Sequence, residues 1–72
     1  MKEQEAKQIA TELLERRGDT DVKIHSIYNL SDEHFGAVVS YTWHLNGHPK
    51  KVQNTRKTFY KDESDKWKIF GI

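Results

Sequence analysis

The residues best equipped to bind something gather toward the C-terminus, in RKTFYKDESDKWKIFGI, residues 56–72. Arg56 comes first. Alternation along the flanking strands places it in one row with Tyr28, Ala37 and Gly71, beside a row of Ser26, Val39 and Asn54. That row faces the apolar side of a sheet, and Ala37 and Gly71 leave space around the guanidinium. A buried, unpaired charge is prohibitively costly, so an inward arginine needs a carboxylate, an anionic ligand or water. Two expectations follow. Either Arg56, Asn54 and Tyr28 form an anion-accepting notch, or Arg56 lays its stem on Tyr28 and extends its head to water at the sheet's end.

The same segment carries Lys57, Phe59, Lys61, Lys66 and Lys68, with Phe70 beside them. Exposed aromatics among lysines can stack bases while the amines meet phosphates. Against a nucleic-acid role stand a single arginine in this half, a pI of about 8.0 and the lack of a named binding motif. The histidines offer no metal site. His44 and His48 flank Asn46-Gly47 with opposite parity, and His25 shares a face with His44 without an evident third ligand. Trp43 opposite Lys50 reads as a cation–π or stem contact. There is no nucleophile–base pair, no glycine-rich phosphate loop and no paired carboxylate on the apolar face, so neither catalysis nor a cofactor is expected.

The elements that must position these residues follow from pattern. Seventy-two residues, 35% hydrophobic and 32% charged, make one domain over residues 1–72. No cysteine is present, and no apolar run approaches the ~18 residues of a membrane span; a soluble, cytoplasmic protein is expected. Charge is unevenly placed: residues 1–36 sum to −3 and residues 37–72 to +4, so an anionic partner would favour the second half. Ala6, Ile9, Ala10 and Leu13 follow helical spacing and predict a helix over about 3–17, with acidic residues first, arginines last and Gly18 at its stop.

Beyond Gly18 the pattern predicts strands over about 21–30, 35–45, 48–61 and 66–72, joined by SDEH, Asn-Gly and DESD. These turns pair Tyr28 with Ala37, Ile24 with Tyr41, Ala37 with Arg56, and Tyr60 with Trp67. One face then collects Val22, Ile24, Tyr28, Leu30, Phe35, Val39, Tyr41, Trp43, Leu45, Val52, Tyr60, Trp67 and Ile69. The expected fold is α+β: one N-terminal helix packed on a four-stranded antiparallel meander. This order, and above all the basic-aromatic strand, acidic turn and Lys-Trp-Lys-Ile of the last hairpin, resembles the cystatin-like and nuclear-transport-factor-2-like group of folds. The resemblance implies a curved sheet around a helix, with small ligands on its concave side, and no catalytic residue.

On the opposite face an apolar row of Ile27, Val38, Thr55 and Ile72, with Phe70 beside it, has no second helix to cover it. The leading functional expectation is therefore a non-enzymatic protein-interaction module, a homodimer or a docking surface for a protein partner. A small-anion carrier or sensor using Arg56, Asn54 and Tyr28 is the second. A weak nucleic-acid binder is the third.

Overall fold

The computed structural model describes residues 1–70. Helix α1 (Glu3–Arg16) is followed by strands β1 (Thr20–Tyr28), β2 (His34–Leu45), β3 (His48–Lys61) and β4 (Trp67–Ile69). The strands form one antiparallel sheet in the order β1-β2-β3-β4, and the helix packs on one of its faces. The expected roles of Gly71 and Ile72 lie outside the described residues.

The helix buries Ala6, Ala10 and Leu14, spaced four apart, against Phe35, Ala37, Val39, Tyr41 and Phe59 of the sheet. Two alanines at the contact let the helix axis come close, and Leu14 fills the space beyond. The helix then ends in a Schellman turn. Gly18, at φ 101°, donates its N–H to the Glu15 carbonyl at 2.9 Å, and Asp19 donates to Leu14 at 3.1 Å.

The Asn46-Gly47 turn has positive φ at both residues and sets the expected pairs Leu45–His48 and Tyr41–Val52. Farther along, and besides an irregularity between Thr20 and Lys23 at the start of β1, three departures from simple alternation change what faces where. In β3, Gln53 and Asn54 together oppose Ser40, and Asn54 takes a left-handed φ of 51°. Val39 therefore pairs with Thr55, Ala37 with Lys57, and Val38 with Arg56. In β1, His25 is the extra residue between the pairs Ile24–Val39 and Ser26–Val38, so Ile27 pairs with Ala37 and Tyr28 with Gly36. Both bulges close on Ser40: its Oγ accepts the Asn54 N–H at 3.0 Å and hydrogen-bonds the His25 Nε2 at 2.7 Å.

The third departure is the last turn. Asp62 N–H bonds the Lys66 carbonyl at 2.9 Å, Asp65 N–H bonds the Asp62 carbonyl at 3.0 Å, and Asp65 sits at φ 61°. This is a three-residue loop closed by a left-handed aspartate, where four residues were expected. Lys61 consequently pairs with Trp67 and Phe59 with Ile69. Phe59 becomes fully buried, stacked on Phe35 at 4.9 Å, with Trp67 tilted against Phe35 at 5.3 Å.

Each departure inverts face assignment downstream of it, because side chains alternate with period two. Ile27, Thr55, Lys57, Phe59 and Lys61 turn to the helix side instead of the open side. Tyr28, Arg56 and Tyr60 turn to the open side instead of the helix side. Leu30 leaves the sheet for the β1–β2 loop, half-exposed.

Candidate functional site

The open face is built around Gly36. Its missing side chain is occupied by the ring of Tyr28 from the neighbouring strand; a Cβ on Gly36 would lie 2.2 Å from that ring. Glycine inside a strand weakens it unless something packs into the gap, and here an aromatic does. Across the sheet the row continues through Thr58, paired with Gly36, to Phe70, whose N–H bonds the Thr58 carbonyl at 2.8 Å. Tyr60 meets Phe70 edge to face at 6.4 Å. Val38, one row over, is half-buried, while Phe70 is 69% exposed and Tyr60 37%. The result is an aromatic strip crossing the sheet on the side without a helix.

Cations border this strip. Arg56 holds its guanidinium 5.8 Å from the centre of the Tyr28 ring, a cation–π geometry at an exposed site worth about 0.5–1 kcal/mol. Lys68 pairs with Asp62 at 3.6 Å, and Lys23 and Lys51 lie on the rows beyond Val38. The strand residues registered to this face include no carboxylate; Asp21, at the irregularity between Thr20 and Lys23, stands at its edge. Asp62 has its carboxyl pushed below the usual aspartate range, first by the Lys66 backbone N–H, with smaller help from the Ser64 N–H and the Lys68 ammonium.

The expected sites are therefore redistributed. Of the interface row Ile27, Val38, Thr55, Phe70 and Ile72, Val38 and Phe70 occupy the open face, Ile27 and Thr55 lie on the helix side, and Ile72 is outside the described residues. The inward notch of Arg56, Asn54 and Tyr28 does not form: Arg56 and Tyr28 do meet, but on the open face, and Asn54 is the exposed extra residue of the β3 bulge. Of the basic set, Phe59 is buried, Lys57 lies 6.0 Å from the Tyr41 ring and Lys61 5.6 Å from the Trp67 ring on the helix side, while Lys66 and Lys68 remain exposed. His25 and His44 are engaged separately, with Ser40 and with Thr20 at 3.1 Å. The residues missed in the sequence were Gly36 and Tyr60, and a glycine in mid-strand was the signal that could have found the first.

No family model, curated protein or solved structure matches the chain. Among the described residues no helix is long and apolar enough to cross a membrane.

Proposed function

We propose that this chain is a non-enzymatic protein-interaction module that docks a partner on its open sheet face. The observation that carries the reading is the strip of half-buried Tyr28 with exposed Thr58, Phe70 and Tyr60, on a face that the helix does not cover and flanked by Arg56 and Val38. Tyrosine, phenylalanine and arginine are enriched where interfaces are anchored: the rings bury large area at small entropic cost, and arginine adds forked hydrogen bonding. The charge bordering the strip selects the partner's chemistry. Two copies face to face would bring Lys23, Lys51 and Arg56 against their own kind, whereas an acidic segment with apolar anchors would meet both features. The helix-then-meander order supports placing the chain with the cystatin-like and nuclear-transport-factor-2-like group of folds, and that likeness brings no residue role with it.

The test is selection of binders from a random-peptide display library on the immobilised native chain, with counter-selection on Val38→Glu. Enrichment of acidic sequences containing aromatic or aliphatic anchors is expected, together with loss of binding to Val38→Glu and Tyr60→Ala. Binders indifferent to both substitutions would overturn the proposal. Sedimentation equilibrium of the same pair of proteins distinguishes self-association: a dimer split by Val38→Glu would make the partner a second copy.

A second reading has one observation in its favour. Two exposed rings, Tyr60 and Phe70, and the half-buried Tyr28 share a face with Arg56 and Lys68, an arrangement on which bases of a single strand can stack. Oligonucleotide binding that weakens steeply with salt and is lost in Phe70→Ala would support it. A flat salt response removes it.

A further inference from the structure

The helix is shorter than the hairpin it lies on. It ends at Arg16, and the next residue, Arg17, reaches the Tyr41 ring, while β2 and β3 run on to Leu45 and His48. The helix side of the sheet is thus uncovered past the Schellman turn, and a cleft of about 560 Å³ opens there, walled by Arg17, Gly18, Asp19, Tyr41, Trp43 and His44. That volume lies within the about 300–1,000 Å³ typical of small-molecule sites.

The turn itself places the polar groups. Arg17 is the last half-helical residue and Asp19 the second beyond it, so the left-handed Gly18 folds one back beside the other. Arg17 Nε donates to Asp19 Oδ2 at 2.7 Å, and the Asp19 side chain is only 3% exposed. The guanidinium also lies 5.1 Å from the centre of the Tyr41 ring. It is therefore held at two points, by a carboxylate at Nε and by an aromatic beneath its plane. Among the described residues its terminal Nη groups make no hydrogen bond, and the side chain stays 29% exposed. Lys57 brings a second cation to within 6.0 Å of the Tyr41 ring and has no salt-bridge partner among the described residues. Of the last-turn carbonyls, those of Leu13, Leu14 and Glu15 accept the Arg17, Asp19 and Gly18 N–H groups, so the Schellman motif turns three of the four away from an anion in the cleft.

One aromatic wall is left over. Tyr41 is covered by Arg17, whereas Trp43 is half-buried and borders the cleft without a ring partner among the described residues. A preorganised guanidinium with free forked donors, beside an unstacked indole, matches a flat apolar body ending in a carboxylate. We propose that this cleft binds small aryl carboxylates, with Arg17 receiving the carboxylate and Trp43 the ring. A cationic ligand is disfavoured, because Asp19 is neutralised and Arg17 already occupies the Tyr41 face.

The inward arginine expected at Arg56 thus has a counterpart at Arg17, which meets the Tyr41 ring on the sheet's helix side. The site is separate from the open face, so either can fail without the other.

The experiment is a titration of the native chain with phenylacetate, phenylacetamide and acetate, followed residue by residue in two-dimensional amide NMR spectra. Phenylacetate is expected to shift Gly18, Asp19, Tyr41 and Trp43, with a dissociation constant below ~1 mM. Phenylacetamide keeps the ring and removes the charge, so it should bind at least about tenfold more weakly, as a lost charge-assisted hydrogen bond implies. Acetate keeps the charge and removes the ring, and should bind no better than the amide. Trp43→Leu should weaken phenylacetate while leaving the Arg17–Asp19 pair in place. Equal binding of acid and amide, shifts confined to the Arg56 region, or no shifts at all would each overturn the assignment. Because acid and amide are compared on the unaltered protein, the result does not depend on any variant folding.

Discussion

Gly36→Ala tests the architecture of the open face through a single added methyl. The new Cβ would sit 2.2 Å from one Tyr28 ring carbon and 2.4 Å from the next, whereas ordinary contact begins at 3.4 Å. The ring must therefore retreat by at least 1.2 Å. Backbone beneath it cannot yield, since Gly36 and Tyr28 are paired in the sheet, so the ring swings outward, leaves Gly36 and moves away from Arg56. Overpacking of this kind costs about 1–3 kcal/mol. In a Tyr28→Ala background the obstruction is gone, and alanine in place of glycine should instead stabilise the strand by about 0.5–1 kcal/mol. The two substitutions are thus expected to couple by at least about 1.5 kcal/mol, with the sign of the Gly36 change reversed between backgrounds. Equilibrium urea unfolding, read by tryptophan fluorescence, resolves this. With a slope of about 1 kcal/mol/M for so small a domain, Gly36→Ala alone should lower the midpoint by about 1 M or more. Additivity within ~0.5 kcal/mol would refute the reasoning. It would mean that Tyr28 does not lie on Gly36, and with it would go the β1 bulge and the aromatic strip.

Other perturbations report on the remaining departures from alternation. Phe59→Ala should cost about 3–5 kcal/mol, comparable to the net stability of a core this size, and so abolish the cooperative unfolding transition; Tyr60→Ala should cost under about 1 kcal/mol. The reverse order in circular-dichroism melts would restore the four-residue last turn. Asn54→Gly is expected to be neutral or stabilising, whereas Asn54→Val, forced to the same positive φ, should lose about 1–2 kcal/mol in urea unfolding. Asp62 contributes to stability at low pH in a definite direction. Its folded pKa is depressed, so the contribution is whole above the ordinary aspartate value of 3.8 and is lost as pH falls through the lower folded value. The urea midpoint of the native chain should fall in that acid window, and Asp62→Asn, already lacking the contribution, should show a smaller fall.

The helix and the Asn-Gly hairpin were legible because each has a local cause. Ala6, Ile9, Ala10 and Leu13 repeat at helical spacing, and Asn46-Gly47 demands a turn with positive φ. The meander order was legible for the same reason, since three turn signals cut the rest of the chain into four strands. Register beyond the turns was not. A bulge such as that at His25 or Asn54 is one extra residue in an otherwise apolar-polar alternation, and in strands as mixed as VKIHSIYNL and KKVQNTRKTFYK two alternations fit almost equally well. Ile27 and Tyr28 are both apolar enough to face the core, as are Phe59 and Tyr60. Ser40 closes the two bulges through hydrogen bonds to strands on either side, and pairings across a sheet leave no trace in the spacing of one strand.

The errors this produces are systematic. A missed bulge exchanges the two faces from that point onward, so it turns core into site and site into core. Arg56 and Tyr28 were read as neighbours and are neighbours, because bulges in β1 and β3 turned both onto the open face, Tyr28 opposite Gly36 and Arg56 opposite Val38. What changed is the medium they meet. On the helix side a guanidinium would have required an anion to be tolerated at all. On the open face it rests on the Tyr28 ring with its head in water, and its contribution to binding then depends on a partner arriving. The constraint that was sought at Arg56 is instead met at Arg17, by Asp19 and the Tyr41 ring, where the chain reverses after the helix. A requirement for compensation identifies a site only once the face is known. In a chain with this many mixed strands, faces are set by the left-handed residues Asn54 and Asp65 and by Gly36 as much as by the apolar pattern.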